Sequence, residues 1–146
     1  MDWKKISIER LREYEARKEA LSLIPEQIET LELNFPALRS ARTDATPVSG
    51  GMSNKREDML INNIVMRDEL AHNLEIAKRE VSITEKGLEK LTEEQKEILT
   101  KFYINRSYGY IDTLCEQLHL EKSRIYTLKD EAVKKFTMAC YGIVEV

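Results

Sequence analysis

Glycine and proline are scarce in this chain, with five and three residues among 146. Because β-rich folds need many turns built from such residues, their scarcity favours an all-α fold. Aromatic side chains are also few, at 7 % of the sequence, whereas charged residues reach 34 %. This combination is typical of long solvated helices and less so of a compact enzyme.

A long apolar run is missing as well. The first 20 residues, MDWKKISIERLREYEARKEA, are charged throughout, unlike a signal peptide. No later segment approaches the roughly 18 apolar residues of a membrane span. We therefore expect a cytoplasmic protein with no membrane partner. Its two cysteines, Cys115 and Cys140, are expected to be reduced thiols on helices.

Residue patterns for catalysis are also missing. The sequence has no Gly-rich phosphate loop, no metal-ligand spacing and no nucleophile with a plausible histidine partner. We therefore expect no enzymatic activity, no metal site and no cofactor. The formal net charge of −3 argues against a generally basic nucleic-acid-binding protein, but it permits a local basic face.

The first 91 residues contain two long helical patterns. In the first, over about residues 3 to 38, apolar residues recur at spacings of three and four: Leu21, Ile24, Ile28, Leu31, Phe35 and Leu38. Pro25 interrupts this pattern and predicts a kink or break near Ile24. The second pattern runs from Lys55 to about Leu91, with Gly87 as a weak point. Together they predict an antiparallel, coiled-coil-like hairpin that forms a homodimer through its helices.

The stretch RSARTDATPVSGGMSN, residues 39 to 54, predicts a linker between the two patterns. Apolar periodicity vanishes here, and Thr-Pro, Ser-Gly and Gly-Gly cluster together. A loop of this length is either mobile or functional. Arg39 and Arg42 could contact phosphates, although we favour a solvated, flexible loop.

Three shorter helices are predicted after residue 91. Thr92 and Gln95 have the spacing of a capping box at the start of the first. This helix should bury Ile98, Leu99 and Phe102 and end in the turn-forming NRSYG stretch. The next two helices should span about 110 to 118 and about 122 to 141, with Gly142 as the final stop.

The three residues between the last two helices predict a helix-turn-helix motif. Such a motif has a turn of three or four residues, and apolar side chains lock its helices at a steep angle. Six residues suit the interior of this motif: Leu114, Cys115, Leu118, Leu120, Ile125 and Leu128. His119 stands where Gly is common and should adopt a positive φ, which histidine tolerates. Glu121 stands where Ser or Thr normally caps the helix. Its carboxylate can still favour the positive helix end, but phosphates would repel it.

The helix that starts near Lys122 is the candidate DNA-reading element. With Ile125 and Leu128 pointing inward, its opposite face presents hydrogen-bonding side chains and no aliphatic ones. The predicted base-facing residues are Lys122, Ser123, Tyr126 and Thr127, and the predicted phosphate-contacting residues are Arg124 and Lys129. From 122 to 135 there are five basic residues and two acidic ones, so this helix is locally positive.

The segment from Leu91 to about Phe136 resembles region 4 of bacterial sigma-70-type factors. The resemblance is carried by LTEEQKEILTKFY, YIDTLCEQLHL and EKSRIYTLKDEAVKKF. As a whole, the chain resembles RinA and ArpU-type transcriptional regulators of phages and prophages. These combine a heptad-rich N-terminal half, a loop rich in Ser/Thr-Pro and Gly, and a sigma-region-4-like C-terminus.

The resemblance implies a sequence-specific regulator of phage or prophage late genes that binds double-stranded DNA in the bacterial host cytoplasm. The sigma-type base-reading positions fall on Ser123, Tyr126 and Thr127. Sigma factors often have Arg and Gln where this chain has Tyr126 and Thr127, so their preferred DNA sequence does not carry over.

The expected organisation is a helical hairpin over residues 1–91 and a helix-turn-helix domain over residues 92–146. An alternative hypothesis is a non-catalytic protein-interaction module that binds RNA polymerase or a phage assembly or packaging protein. The net acidity of the chain and Glu121 support this alternative. A contact with RNA polymerase is also compatible with the DNA-binding hypothesis.

Overall fold

A computed structural model describes residues 1–43 and 51–144, with side chains for 1–40 and 54–144. Within these ranges every regular element is a helix, as the sequence predicts. The elements are α1 (Trp3–Thr43), α2 (Gly51–Glu89), α3 (Glu93–Leu99), a π-helical turn (Thr100–Ile104), α4 (Tyr110–Leu118) and α5 (Lys122–Tyr141). The protein is therefore all-α in its described part.

Helix α1 runs without interruption through Pro25. Of the predicted kink or break near Ile24, the break is therefore wrong, and the kink stays a prediction. Pro25 is exposed, whereas Ile24 beside it is buried. The hydrogen bond that proline cannot donate is lost on the solvent side, where water can satisfy the carbonyl of Leu21. Bonded and packed turns on both sides hold the long helix together, and a second internal proline, Pro36, is accommodated in the same helix.

Helix also covers part of the stretch from 39 to 54 that the sequence predicts as a loop. Helix α1 ends at Thr43 and α2 begins at Gly51. Residues 44–50 lie outside the described residues, as does the side chain of Arg42. Arg39 is an exposed residue near the end of α1. The helix extends because RSART contains no Gly or Pro, and the turn-forming residues begin only after it.

The chain divides into two compact units. The first comprises Met1–Lys18 and Arg79–Val146, and the second comprises Glu19–Lys78. The predicted division into a helical hairpin over 1–91 and a helix-turn-helix domain over 92–146 has other bounds than these units and stays a prediction.

The first unit is held by an apolar core and a polar network. The core cluster contains Leu11, Leu91, Leu99, Ala132, Val133 and Phe136. Beside it, the Nε of Arg10 donates to the Tyr141 hydroxyl at 2.7 Å. The same guanidinium forms an ion pair with Glu80, which also lies 3.4 Å from Arg17. Because Arg10 is largely buried, this network fixes α1, α2 and α5 against one another.

Gly87 is predicted to weaken α2, but the packing of α2 against α5 also requires a residue without a side chain at this position. A Cβ atom at this position would lie 2.5 Å from Cys140 Sγ and 2.8 Å from Phe136 Cε2. Helices α2 and α5 therefore approach closely because residue 87 has no side chain.

The second unit is a pair of helical segments joined by a connection of seven residues, 44–50. So short a connection between neighbouring helices makes them antiparallel. Asn63 Nδ2 donates to the Leu31 carbonyl at 2.9 Å, and the Arg67 guanidinium lies 4.9 Å from the centre of the Phe35 ring. The seam between the segments is therefore partly polar.

Candidate nucleic-acid interface

The chain turns sharply between α4 and α5, as the helix-turn-helix prediction requires. Helix α4 ends at Leu118, and His119 has a φ of 55°. The Leu120 amide donates to the Cys115 carbonyl at 3.2 Å. Glu121 then has extended backbone angles, and α5 begins at Lys122. The predicted break and the positive φ of His119 are both confirmed.

The predicted interior residues of the motif all pack on one cluster. Its buried members are Ile98, Phe102, Leu114 and Ile125. Cys115, Leu118, Leu120 and Leu128 are partly buried against them. The six predicted interior positions are thus confirmed. Burial of Ile125 fixes the rotation of α5, since residues one and two positions away must then face elsewhere.

Helix α3 and the irregular turn after it pack against the helix-turn-helix motif. Its start is the predicted capping box: the Gln95 amide donates to Thr92 Oγ1 at 3.2 Å, and the Thr92 amide donates to Gln95 Oε1 at 3.0 Å. The helix then widens into the π-helical turn, closed by the Asn105 amide on the Thr100 carbonyl at 2.7 Å. Within this turn Phe102 is buried in the cluster of the helix-turn-helix motif.

The start of α5 exposes the predicted base-facing residues together with Arg124, one of the two predicted phosphate-contacting residues. Lys122, Ser123, Arg124 and Thr127 are exposed. The Thr127 hydroxyl donates to the Ser123 carbonyl at 3.1 Å, which leaves its oxygen able to accept a further hydrogen bond. Within the part of the chain that the structure describes, neither Lys122 nor Arg124 forms an ion pair, so both cations face solvent.

Tyr126 is exposed but held in place. Its side chain is 39 % exposed, and its ring packs edge-on against Phe102, with 5.7 Å between centroids. Tyr110 also packs on Phe102, at 5.1 Å, and Tyr103 does so at 5.9 Å. Edge-to-face packing limits the rotamers of Tyr126, so the hydroxyl is presented to solvent in a narrow range of positions.

Lys129 differs from the other predicted site residues. Its side chain is largely buried, and its Nζ lies 2.7 Å from Asp130. The ammonium also lies over the rings of Phe102 and Tyr126, at 5.7 and 5.8 Å. Burial lowers the pKa of Lys129, but the hydrogen bond to Asp130 and the nearby phenol groups outweigh burial and raise it. Lys129 is thus a support for Tyr126, and its contact with phosphate stays a prediction.

Three further residues on the surface near the motif were not predicted as site residues, because they lie outside α5. Arg106 is exposed before α4, with its guanidinium 4.6 Å from the centre of the Tyr110 ring, and Tyr108 is fully exposed beside it. The NRSYG turn offered a signal for both, since it carries a cation and an aromatic ring. Arg12 of α1 lies 5.7 Å from the Tyr103 ring. No local pattern could reveal this contact, because about 90 residues separate the two.

In the described ranges, no group of His, Cys, Asp and Glu residues could hold a metal ion. Burial raises the pKa of the Cys140 thiol, against a smaller opposite effect of the Arg10 charge, which disfavours a reactive thiolate. None of the helices in these ranges has the length and apolarity needed to cross a membrane.

Comparison with known proteins gives one family. The model of DUF1492, described as a protein of unknown function, matches residues 37–137. No curated protein and no solved structure matches the chain. The matched range is more than half of the chain and includes all of α2, α3 and α4 and most of α5. The chain therefore belongs to the DUF1492 family.

Proposed function

We propose that the protein is a transcriptional regulator of phage or prophage genes that reads double-stranded DNA with the start of α5. One observation carries this proposal. The first two turns of α5 expose Lys122, Ser123, Arg124, Tyr126 and Thr127, while Ile125 between them is fully buried. A helix anchored by its apolar face that displays only polar and cationic groups on the other suits the major groove.

The exposed residues can divide the work of recognition. In a helix-turn-helix protein the second helix enters the major groove while the first crosses the backbone. Ser123, Tyr126 and Thr127 offer hydroxyl groups, which donate to or accept from base edges. Arg124 and Lys122 supply the positive charge that phosphates attract. Because Tyr126 is already restrained by Phe102, little rotamer entropy is lost when it contacts a base.

Backbone contacts have additional candidates at the start of α4. Arg106 lies immediately before this helix, which is the helix expected to cross the DNA backbone. Its stacking on Tyr110 holds the guanidinium in place without neutralising its charge. Arg106 thus complements Arg124 as a cation for the sugar-phosphate backbone.

Two features oppose tight binding and set its expected strength. The chain carries a net charge of −3, and the exposed carboxylate of Glu121 lies at the start of the reading helix. Both repel phosphates, so few net counterions should be released on binding. We therefore expect a shallow salt dependence and a large share of the affinity from base contacts.

The test begins with selection of bound sequences from a random duplex library, followed by fluorescence anisotropy across a salt series. Tyr126→Ala should weaken binding to the selected sequence by about 1–3 kcal/mol and relax specificity. Arg124→Ala should weaken all duplexes alike and reduce the salt slope by about 1. The control is Lys78→Ala, which removes the same charge from the second unit and should change neither quantity. Selection without enrichment, or equal binding by all three variants, would refute the proposal.

A second candidate function is binding to an acidic segment of RNA polymerase or of a phage packaging protein. Farther along α5 and beside the end of α2 lies a groove of about 640 Å³, lined by Lys90, Glu131, Lys134, Lys135, Met138, Ala139 and Val144. Three cations against one acidic residue around an apolar floor suit an acidic amphipathic helix. Binding of RNA polymerase that Lys134→Glu abolishes, with no duplex binding at low salt, would favour this function over the first.

A further inference from the structure

The second compact unit, Glu19–Lys78, leaves many of its large apolar side chains in solvent. The large apolar side chains exposed there are Leu23, Leu33, Met59, Ile61, Ile64, Val65, Met66 and Ile76. Its buried apolar residues are only Ile24, Leu60 and Ala77 among those described. In a pair of helices, each helix buries only the apolar side chains on the face toward the other. This unit has more apolar side chains than those two faces can bury.

One flank of the unit forms a groove with a polar centre. The asparagine groove, of about 530 Å³, is lined by Leu31, Asn34, Leu38, Met59, Asn62, Asn63 and Met66, among others. Asn63 is 6 % exposed. Its Nδ2 is bonded to the Leu31 carbonyl, but its Oδ1 is buried and has no hydrogen-bond partner in the described residues. A buried acceptor without a donor is costly, so the groove lacks a polar group in the single chain.

We propose that the asparagine groove is filled by the same groove of a second copy, with the two α2 helices antiparallel and centred on Asn62. The resulting dimer is a four-helix bundle built from two hairpins. The amide of Asn62 from one copy then supplies the donor for Asn63 Oδ1 of the other. The flexible Met59 and Met66 side chains beside it can shift to admit that donor. This proposal is independent of the proposed DNA binding.

The order of residues along α2 supports self-association in this orientation. Lys55, Met59, Asn62, Met66 and Glu69 are spaced by four, three, four and three residues, which places them on one stripe. The stripe is basic at one end and acidic at the other, and its two charged ends, Lys55 and Glu69, are each seven residues from Asn62. When two such stripes run antiparallel, Lys55 of each copy meets Glu69 of the other. When they run parallel, like charges meet.

The charge of the whole unit agrees with that orientation. Residues 19–33 and 64–78 contain seven acidic and two basic residues, whereas 34–40 and 54–63 contain two acidic and three basic ones. An antiparallel overlap sets the basic region of one copy against the acidic region of the other. This complementarity disfavours an arbitrary apolar partner and favours a second copy.

The available surface is large enough for a specific dimer. The stretch from Asn54 to Leu70 is centred on Asn62 and is roughly 25 Å long at the rise of an α-helix. Two helices side by side are roughly 20 Å wide, so two copies cover roughly 1,000 Å² together. Interfaces of similar area range from micromolar to picomolar affinity, and the polar centre places this one at the weak end, so it should dissociate at micromolar concentrations.

Buried asparagines on helical seams also select alignment. An asparagine at a core position favours the one register and oligomeric state in which it finds a partner, at some expense of stability. Asn62 and Asn63 at the centre of the proposed interface would select the antiparallel alignment in this way. Asn63→Leu should keep the copies associated while relaxing that selection.

The test is the mass of the full chain measured by sedimentation equilibrium between about 1 and 100 µM, the range expected for an interface with a polar centre. The wild type should pass from monomer to dimer. Met66→Glu, in the groove, should raise the dissociation constant at least about tenfold. Ile64→Glu, which lies on the other flank beside Phe35 and Leu60, is the matched control and should leave it within about twofold. Circular dichroism should show similar helix content in both variants, because both side chains are exposed.

A charge exchange tests the orientation. Lys55→Glu should weaken the dimer, and adding Glu69→Lys in the same chain should restore it. A monomeric wild type at the highest concentration would overturn the proposal. So would equal loss of dimer in Met66→Glu and Ile64→Glu, or a Lys55→Glu/Glu69→Lys double variant no better than Lys55→Glu.

Discussion

Gly87→Ala should destabilise the first unit, although sequence considerations alone predict the opposite sign. Alanine is favoured over glycine within a helix by up to about 1 kcal/mol. The structure opposes this gain, because the new Cβ would lie 2.5 Å from Cys140 Sγ and 2.8 Å from Phe136 Cε2. Real Cβ contacts are ordinarily 3.4 Å or longer, so α2 and α5 would have to separate.

The magnitude follows from these two opposing terms. Overpacking a filled core costs about 1–3 kcal/mol, and the helix-propensity gain offsets part of it. We expect a net loss of about 1–2 kcal/mol in the free energy of unfolding, which lowers the melting temperature by a few degrees. Cys140→Ala in the same chain removes the nearest atom. The double variant should therefore lose less than the sum of the two single losses.

The assay is urea unfolding followed by the fluorescence of Trp3. This is the only tryptophan in the chain, and its ring lies 5.0 Å from that of Tyr141, next to Cys140 in α5. Its signal therefore reports on the packing that Gly87→Ala disturbs. Unchanged or increased stability of Gly87→Ala would refute the inferred close approach of α2 and α5, as would strict additivity with Cys140→Ala.

Three other expectations test the network and the site. Glu121→Ser should stabilise the chain by about 0.5–1 kcal/mol in thermal unfolding, because the Glu121 side chain makes no cap hydrogen bond to α5. It should also raise the affinity for DNA, because it removes a carboxylate that repels phosphates. Lower stability would contradict this prediction. Arg10→Met should cost about 2 kcal/mol in urea unfolding, since it leaves the partly buried Glu80 with only a longer ion pair; a neutral effect would show that the network is dispensable. Burial, followed by the charge of Glu85, raises the pKa of Tyr14. Its stabilising contribution is therefore complete below pH about 10 and is lost as the pH rises through the folded pKa, so Tyr14→Phe should flatten the alkaline loss of stability.

The apolar spacing and the short turn predicted the local geometry of the helix-turn-helix motif, because the packing of such a motif depends on residues close in sequence. Leu114, Leu118 and Ile125 are separated by a few positions, and their burial is determined by helical periodicity and a short turn. The αL residue at His119 follows from the same local constraint. The packing of the Tyr126 ring on the Phe102 ring could not be predicted from the sequence. The π-helical turn changes the direction in which the Phe102 side chain points, and no local pattern predicted that turn.

The long helices show the limits of local rules. Pro25 is a strong local signal for a break, yet α1 continues because its neighbours are packed and the lost bond lies in solvent. From the sequence, Gly87 is predicted only to weaken the helix, and the position of Cys140 in α5 shows why no side chain fits there. Similarly, Lys129 is predicted to be a free cation, whereas the fold places its ammonium over two aromatic rings and beside Asp130.

The sequence by itself determined the helices and their buried faces, since spacing of apolar residues and scarcity of turn formers act over a few residues. It also determined the caps at Thr92 and Gly142 and the turn at His119. Only the tertiary structure decided which distant groups meet, such as Arg10 with Tyr141 or Arg12 with Tyr103. The reason is physical: helical periodicity is set by the backbone, whereas contacts between helices depend on how closely whole elements approach, which no local pattern encodes.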